Sequence, residues 1–166
     1  DPSVRYWALK DLLDLEEGHL GVAAAREAVM ESPVVAAILA AMNPDGYWMN
    51  PDDMYLPKYT ASTHQLLILA ELGARRTPMI ERAVEHIFRF QRNSGHFLTK
   101  LPKTERGRDS AVKDGCCLDG NILHYLVHFG YLDDPRTRRL LDFIVGYHDD
   151  ENAGWPCRAY PIDPGA

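Results

Sequence analysis

Leu69-Ala70-Glu71-Leu72-Gly73 and Leu126-Val127-His128-Phe129-Gly130 repeat one pattern 57 residues apart. Each is the end of an apolar helical run closed by glycine, the residue best suited to the left-handed cap of a helix. The same offset places Pro78 on Pro135, Ala83 on Leu140, Ile87 on Ile144 and Phe90 on Tyr147. Two inserted residues later, Gly95-His96-Phe97 meets Gly154-Trp155. A weaker, earlier copy ends at Asp45-Gly46-Tyr47-Trp48. The unit is therefore a helix, a glycine stop, a helix opened by proline, and a turn carrying glycine and an aromatic. One such hairpin cannot bury both apolar faces, whereas stacked hairpins share a continuous core. A helix of about 14 residues is about 21 Å long, which sets the thickness of each layer.

Outward from these copies the helical signals continue. Pro2 suits a first helical position, and Val4, Trp7, Leu9, Leu12, Leu13 and Leu15 form a rough helical stripe up to a break at Gly18. Residues 22–30 are Ala-rich, and Ser32-Pro33 starts a third helix reaching Met42. Asn43-Pro44-Asp45-Gly46 is a turn. Residues 47–59, with Pro51, Pro57, Tyr47, Trp48 and Tyr55, read as an ordered loop, since aromatics at that density need something to pack on. Thr60 or Ser62 caps the next helix, and Thr77-Pro78 the one after, with Glu81 near the capping-box position. Asp134-Pro135 opens the last helix, which presents Leu140, Leu141, Ile144 and Tyr147 on one side. No segment alternates with period two, so no strand is expected. The predicted fold class is all-α: stacked helical hairpins forming part of an α/α toroid. One domain spans residues 1–166, with hairpins over about 60–97 and 117–155. Its incomplete set of hairpins reads as a fragment of a larger chain.

Composition bounds the function. The 166 residues carry 46% hydrophobic and 25% charged residues, ordinary values for a globular protein. The most apolar run, residues 34–42, is far short of a membrane span. A net charge of −6 argues against nucleic-acid binding, which needs clustered Lys and Arg. Three cysteines, Cys116, Cys117 and Cys157, do not make a disulfide framework, and a reducing, cytoplasmic setting is expected.

The turn-and-aromatic segments 43–48, 91–97 (Gln91-Arg92-Asn93-Ser94-Gly95-His96-Phe97) and 152–155 resemble the Gln-Trp repeats of squalene cyclases. Only one of them keeps the Gln, and one has Phe for Trp. The resemblance points to the terpenoid cyclase and protein prenyltransferase superfamily. It implies inner and outer helix layers around an apolar cavity, with an isoprenoid or other apolar small molecule as ligand. Completing the ring would take the missing remainder of a longer chain or self-association. Gly107-Arg108-Asp109-Ser110-Ala111-Val112-Lys113-Asp114-Gly115-Cys116 is similar to a β-subunit segment of protein farnesyltransferases. That similarity implies zinc at Asp114 and Cys116 and a diphosphate contact at Arg108. The family lysine falls on Ala111, with Lys113 nearby, and the family's distant His ligand would lie beyond Ala166.

The residues themselves leave these readings open. Asp114, Cys116 and Cys117 at a helix start, joined by Cys157 if the loops meet, supply zinc donors, and a helix N-terminus depresses a thiol pKa. The plainer alternative is an Asp114 N-cap beside small buried cysteines. His124 and His128 share a helix face but lack the Glu of a metallopeptidase. Trp48, Tyr55 and Trp155 line an apolar site or simply pack. Arg108 and Lys113 hold an anion or remain solvated. The pairs Asp52-Asp53, Asp133-Asp134 and Asp149-Asp150 fit turns and caps better than acid-initiated cyclisation. Enzyme activity is left undecided. A non-catalytic helical-repeat binding or interaction module is the alternative function.

Overall fold

A computed structural model of the chain describes residues 1–102, 116–151 and 154–155. The described residues are helical and contain no strand, only isolated bridge pairs such as Gln91 with Phe97 and Asp149 with Gly154. The helices are α1 (Pro2–Trp7), α2 (Leu20–Met30), α3 (Pro33–Ala40), α4 (Ser62–Glu71), α5 (Pro78–Phe88), α6 (Cys116–His128) and α7 (Pro135–Gly146).

Local chemistry sets most boundaries. Ser32, Thr77 and Asp134 each accept a backbone N–H of the first turn, and proline follows each of them. Gly73 and Gly130 close α4 and α6 at φ 80° and 79°. In both caps an N–H reaches back to the helix, Ala74 to the Leu69 carbonyl and Tyr131 to that of Leu126, each at 2.9 Å. The aspartate pairs act in turns. Asp53 accepts the Tyr55 and Leu56 N–H groups, and Asp149 accepts that of Glu151.

Three expectations about caps and faces fail. Neither Thr60 nor Ser62 caps α4. The N-cap is Ala61, and Ser62 Oγ instead bonds both backbone groups of Trp48. Glu81 pairs with Arg76 rather than closing a capping box. The apolar stripe of the first helix fails in part: Trp7, Leu9 and Leu15 pack against the core, but Val4, Leu12 and Leu13 are exposed, while Ser3 and Tyr6 are buried. A π-turn over Ala8–Leu12, in which the Leu13 N–H reaches the Ala8 carbonyl, shifts the side chains at its end, Leu12 and Leu13; Val4 lies before it. Tyr6 then packs its ring over Gly73 and donates its hydroxyl to Glu17.

α4 packs on α6, α5 on α4 and α7 on α6, so two hairpins stand side by side. Their interior is built from Leu66, Leu69, Val84, Ile87, Ile122 and Leu126, all fully buried, with Phe90 and Phe97 over the ends. Burying each such side chain is worth roughly 1.5–3 kcal/mol. Between α5 and α7, the Arg136 guanidinium of α7 forms two hydrogen bonds with Glu85 of α5 and lies 3.7 Å from the Phe88 ring centre.

The same contacts recur from hairpin to hairpin. The Asn43 N–H donates to the Tyr47 carbonyl, and the Arg92 N–H to that of His96, both at 2.8 Å. Tyr47 meets the His86 ring at 5.2 Å, and His96 meets Phe143 at 5.1 Å. Ser62 accepts the Trp48 N–H and Asp119 that of Phe97, both at 3.0 Å. Each residue of the second set lies 49 or 57 positions beyond its counterpart in the first.

Candidate functional site

α4 and α6 each leave one stripe uncovered. On α4 it consists of His64, Leu67 and Ile68, all half-buried, and the exposed Glu71, at helical spacing between buried residues. On α6 it consists of Cys117, Gly120, Asn121, His124 and Val127, with Leu123 half-buried beside them. Because the two helices pack together, the stripes share one face, and the pair His124 Nε2–Glu71 Oε1 spans it at 3.1 Å. Gly120, Leu123, His124, Val127 and His128 line a groove of about 450 Å³ on that face.

His64 lies at the other end of the stripe. Its ring packs against Tyr55 at 4.8 Å and Tyr59 at 5.9 Å, and Gln65 fixes the loop by donating to the Tyr59 carbonyl. Burial, and secondarily the Lys58 ammonium, push its pKa below the ordinary imidazole value, which favours the neutral ring. The His128 pKa is likewise lowered, chiefly by burial, and its Nε2–H donates to the Ala74 carbonyl at 2.7 Å. His124 and His128 therefore serve different partners rather than converging on one ion.

A second polar cluster sits under the turn that precedes α6. His96 and Asp119 are both fully buried, and their side chains meet at 2.6 Å. The other Asp119 oxygen accepts the Phe97 N–H, while His96 Nε2 has no hydrogen-bond partner among the described residues. This cluster ties the turn to α6 and leaves no open face for a ligand.

Among the described residues the sequence-predicted site residues are dispersed. Trp48 is a core residue, 3% exposed, and its indole N–H is spent on the Ile38 carbonyl. Tyr55 stands half-buried beside His64, close to the exposed stripe. Trp155 is 53% exposed and donates to the Ile144 carbonyl. Of the zinc candidates only Cys116 and Cys117 are described. Arg108, Lys113, Asp114 and Cys157 lie outside the described residues. Consecutive helical positions point about 100° apart. Accordingly Cys117 is exposed and Cys116 half-buried. Burial, and then the nearby Asp119 charge, push the Cys116 thiol up to about 11, opposite to the lowering expected of a helix start. Among the described residues no group of three or more His, Cys, Asp or Glu side chains is arranged to hold a metal ion.

No protein-family model, curated protein or solved structure gives a significant match to this chain.

Sequence reasoning passed over His64, Glu71, His96 and Asp119. His96 and Asp119 were within reach of the repeat alignment, which sets them on Tyr47 and Ser62. The Glu71–His124 pair leaves no trace in the sequence, because it depends on how two helices face each other. Chemically, the exposed face suits binding. Its ionisable groups are paired or favour the neutral form, and between them lie Leu67, Ile68, Leu123 and Val127. No helix of the described residues is long and apolar enough to cross a membrane.

Proposed function

We propose that the chain is an arc of an α/α toroid of the squalene cyclase and prenyltransferase type. In this reading α4 and α6 are inner helices, and their shared face holds an extended apolar ligand of isoprenoid character. The supporting observation is the groove on α6 over Leu123 and Val127, also lined by His124, whose ring meets Glu71 of α4 at 3.1 Å. Apolar walls with a few placed polar groups are the usual composition of a small-molecule site. His64, packed between Tyr55 and Tyr59 with burial favouring its neutral form, offers a hydrogen bond to a ligand hydroxyl at a smaller cost than a buried charge. The alternative, a helical-repeat interaction module, is favoured by the openness of the same face, since His124 and Val127 stand exposed to solvent.

Fluorescence of N-phenyl-1-naphthylamine, with farnesol as competitor, tests the reading. The protein should enhance the probe's emission, farnesol should displace it, and Val127→Asp should weaken binding about tenfold. A protein that leaves the probe dark, or whose probe farnesol cannot displace, would leave the interaction-module reading in its place.

A further inference from the structure

An open groove of about 780 Å³ runs between α5 and the loop after α3, and it shares no lining residue with the groove on α6. Tyr47 and Pro51, both half-buried, stand on its loop wall. Arg82, His86 and Arg89 stand on its α5 wall, at i, i+4 and i+7 and hence on one helix face. The acids on that wall already have partners: Glu81 meets Arg76 at 2.8 Å and Glu85 meets Arg136 at 2.7 Å. The two arginines do not. Among the described residues the Arg82 guanidinium has no ion pair or hydrogen bond, and that of Arg89 has only the His86 ring. Asp45, exposed on the loop wall, meets neither of them.

His86 is more than the scaffold requires. The 57-residue register sets it on Phe143, and the two rings pack alike, His86 on Tyr47 at 5.2 Å and Phe143 on His96 at 5.1 Å. A phenyl ring would therefore serve for packing. The imidazole instead brings two nitrogens into a place only 6% exposed. A guanidinium only donates, so His86 Nδ1 accepts from Arg89 at 3.4 Å and the neutral ring carries its proton on Nε2. Burial, and then the Arg89 charge, hold its pKa below the ordinary value, against a smaller opposing pull from the Pro51 carbonyl. Nε2 has no hydrogen-bond partner among the described residues. An orphaned buried donor is destabilising. What the imidazole adds over a phenyl ring is an Arg89 held along the groove wall. The same register sets Arg89 on Gly146, so this pair is peculiar to one hairpin.

We propose that this groove is a ligand site of its own, for a small molecule that joins an anionic group, carboxylate or phosphate, to a flat ring. The anion takes the free donors of Arg82 and Arg89, whose planar forks match either group. The ring lies against Tyr47 and Pro51. The volume falls within the range of roughly 300–1,000 Å³ usual for small-molecule sites. His86 is a positioning residue: it holds Arg89 and does not touch the ligand, because its Nε2 is closed to solvent. The site is independent of what the α4–α6 face binds.

Amide NMR of the isotope-labelled chain, titrated with naphthoate and with naphthyl phosphate, tests it. At least one of the two should shift amides of α5 and of residues 45–51 with a Kd of about 1 mM or below, and the tighter one names the anion. Naphthol, which lacks the charge, and inorganic phosphate, which lacks the ring, should each bind about tenfold more weakly. Arg82→Gln and Arg89→Gln alter exposed side chains, and each should weaken the naphthyl anion about five- to tenfold. His86→Phe keeps the ring packing, and it should weaken binding about threefold with no loss in thermal stability. Arg138→Gln, on α7 and paired with Asp133 outside the groove, controls for net charge and should change nothing. Circular dichroism checks that each variant folds. No shifts at about 5 mM, shifts centred on α4 and α6, naphthol binding as well as the anions, or an Arg138→Gln effect equal to that of Arg82→Gln would each overturn the proposal. Arg82→Gln should bind N-phenyl-1-naphthylamine as the unmodified chain does, so the two ligand readings stand or fall separately.

Discussion

Gly95 touches the backbone of Arg139 so closely that no side chain fits between them: a Cβ would sit 2.1 Å from the carbonyl oxygen. Gly130 has a similar positive φ, 79° against 98°, but nothing lies within 4 Å of where its Cβ would be. The pair separates two roles of glycine. Gly130→Ala should cost only the left-handed strain, about 1 kcal/mol. Gly95→Ala adds overpacking between hairpins and should cost about 2–4 kcal/mol in all. Urea denaturation of the two variants measures the difference, and equal losses would mean that the turn does not dock on α7.

Asp119 holds the same turn from inside. Its two oxygens serve the Phe97 N–H and the His96 ring, so Asp119→Ala strands two buried donors. The expected loss is about 3–5 kcal/mol, the range for breaking a buried pair. Asp119→Asn keeps one acceptor and should lose less. Ser62→Ala, at the corresponding place in the first hairpin, removes a neutral hydroxyl from the Trp48 N–H and carbonyl and should cost about 1–3 kcal/mol. Chemical denaturation would rank the three, and a harmless Asp119→Ala would refute the latch.

Acid should weaken the fold in two stages. Burial lowers the pKa of His64, His86 and His128 from the ordinary 6.5, so the folded chain resists protonating them while the unfolded chain does not. Stability is then full above the unfolded value and falls as pH drops through it. Glu85 and Asp134 are lowered chiefly by their hydrogen bonds to Arg136, and the stability they supply is lost further down, below their ordinary 4.5 and 3.8. Thermal melts between about pH 7.5 and pH 5 isolate the histidine stage. His128→Gln should flatten the slope there, and an unchanged slope would remove His128 from the account.

Much of the architecture was legible because it is local. Proline at a first helical position, Asp or Ser before it, and glycine after the last turn each act within four residues, so the α3, α5 and α7 starts and the α4 and α6 ends follow from the sequence. The first helix misled at Leu12 and Leu13, where a π-turn displaces the side chains at its end. Ser62 misled because a hydroxyl able to cap a helix met the Trp48 backbone first.

The sequence by itself determined where helices begin and stop and which residues occupy equivalent places, since backbone geometry and periodic burial are written in neighbouring side chains. Only the tertiary structure decided which faces stay open: the α4–α6 stripe, the exposed Trp155 and the exposed Val34. Exposure is a property of what packs on a residue. Tyr6 over Gly73, His96 against Asp119 and Glu71 against His124 are pairings between residues 23 to 67 positions apart. No local rule selects such partners; the close packing of hairpin on hairpin does.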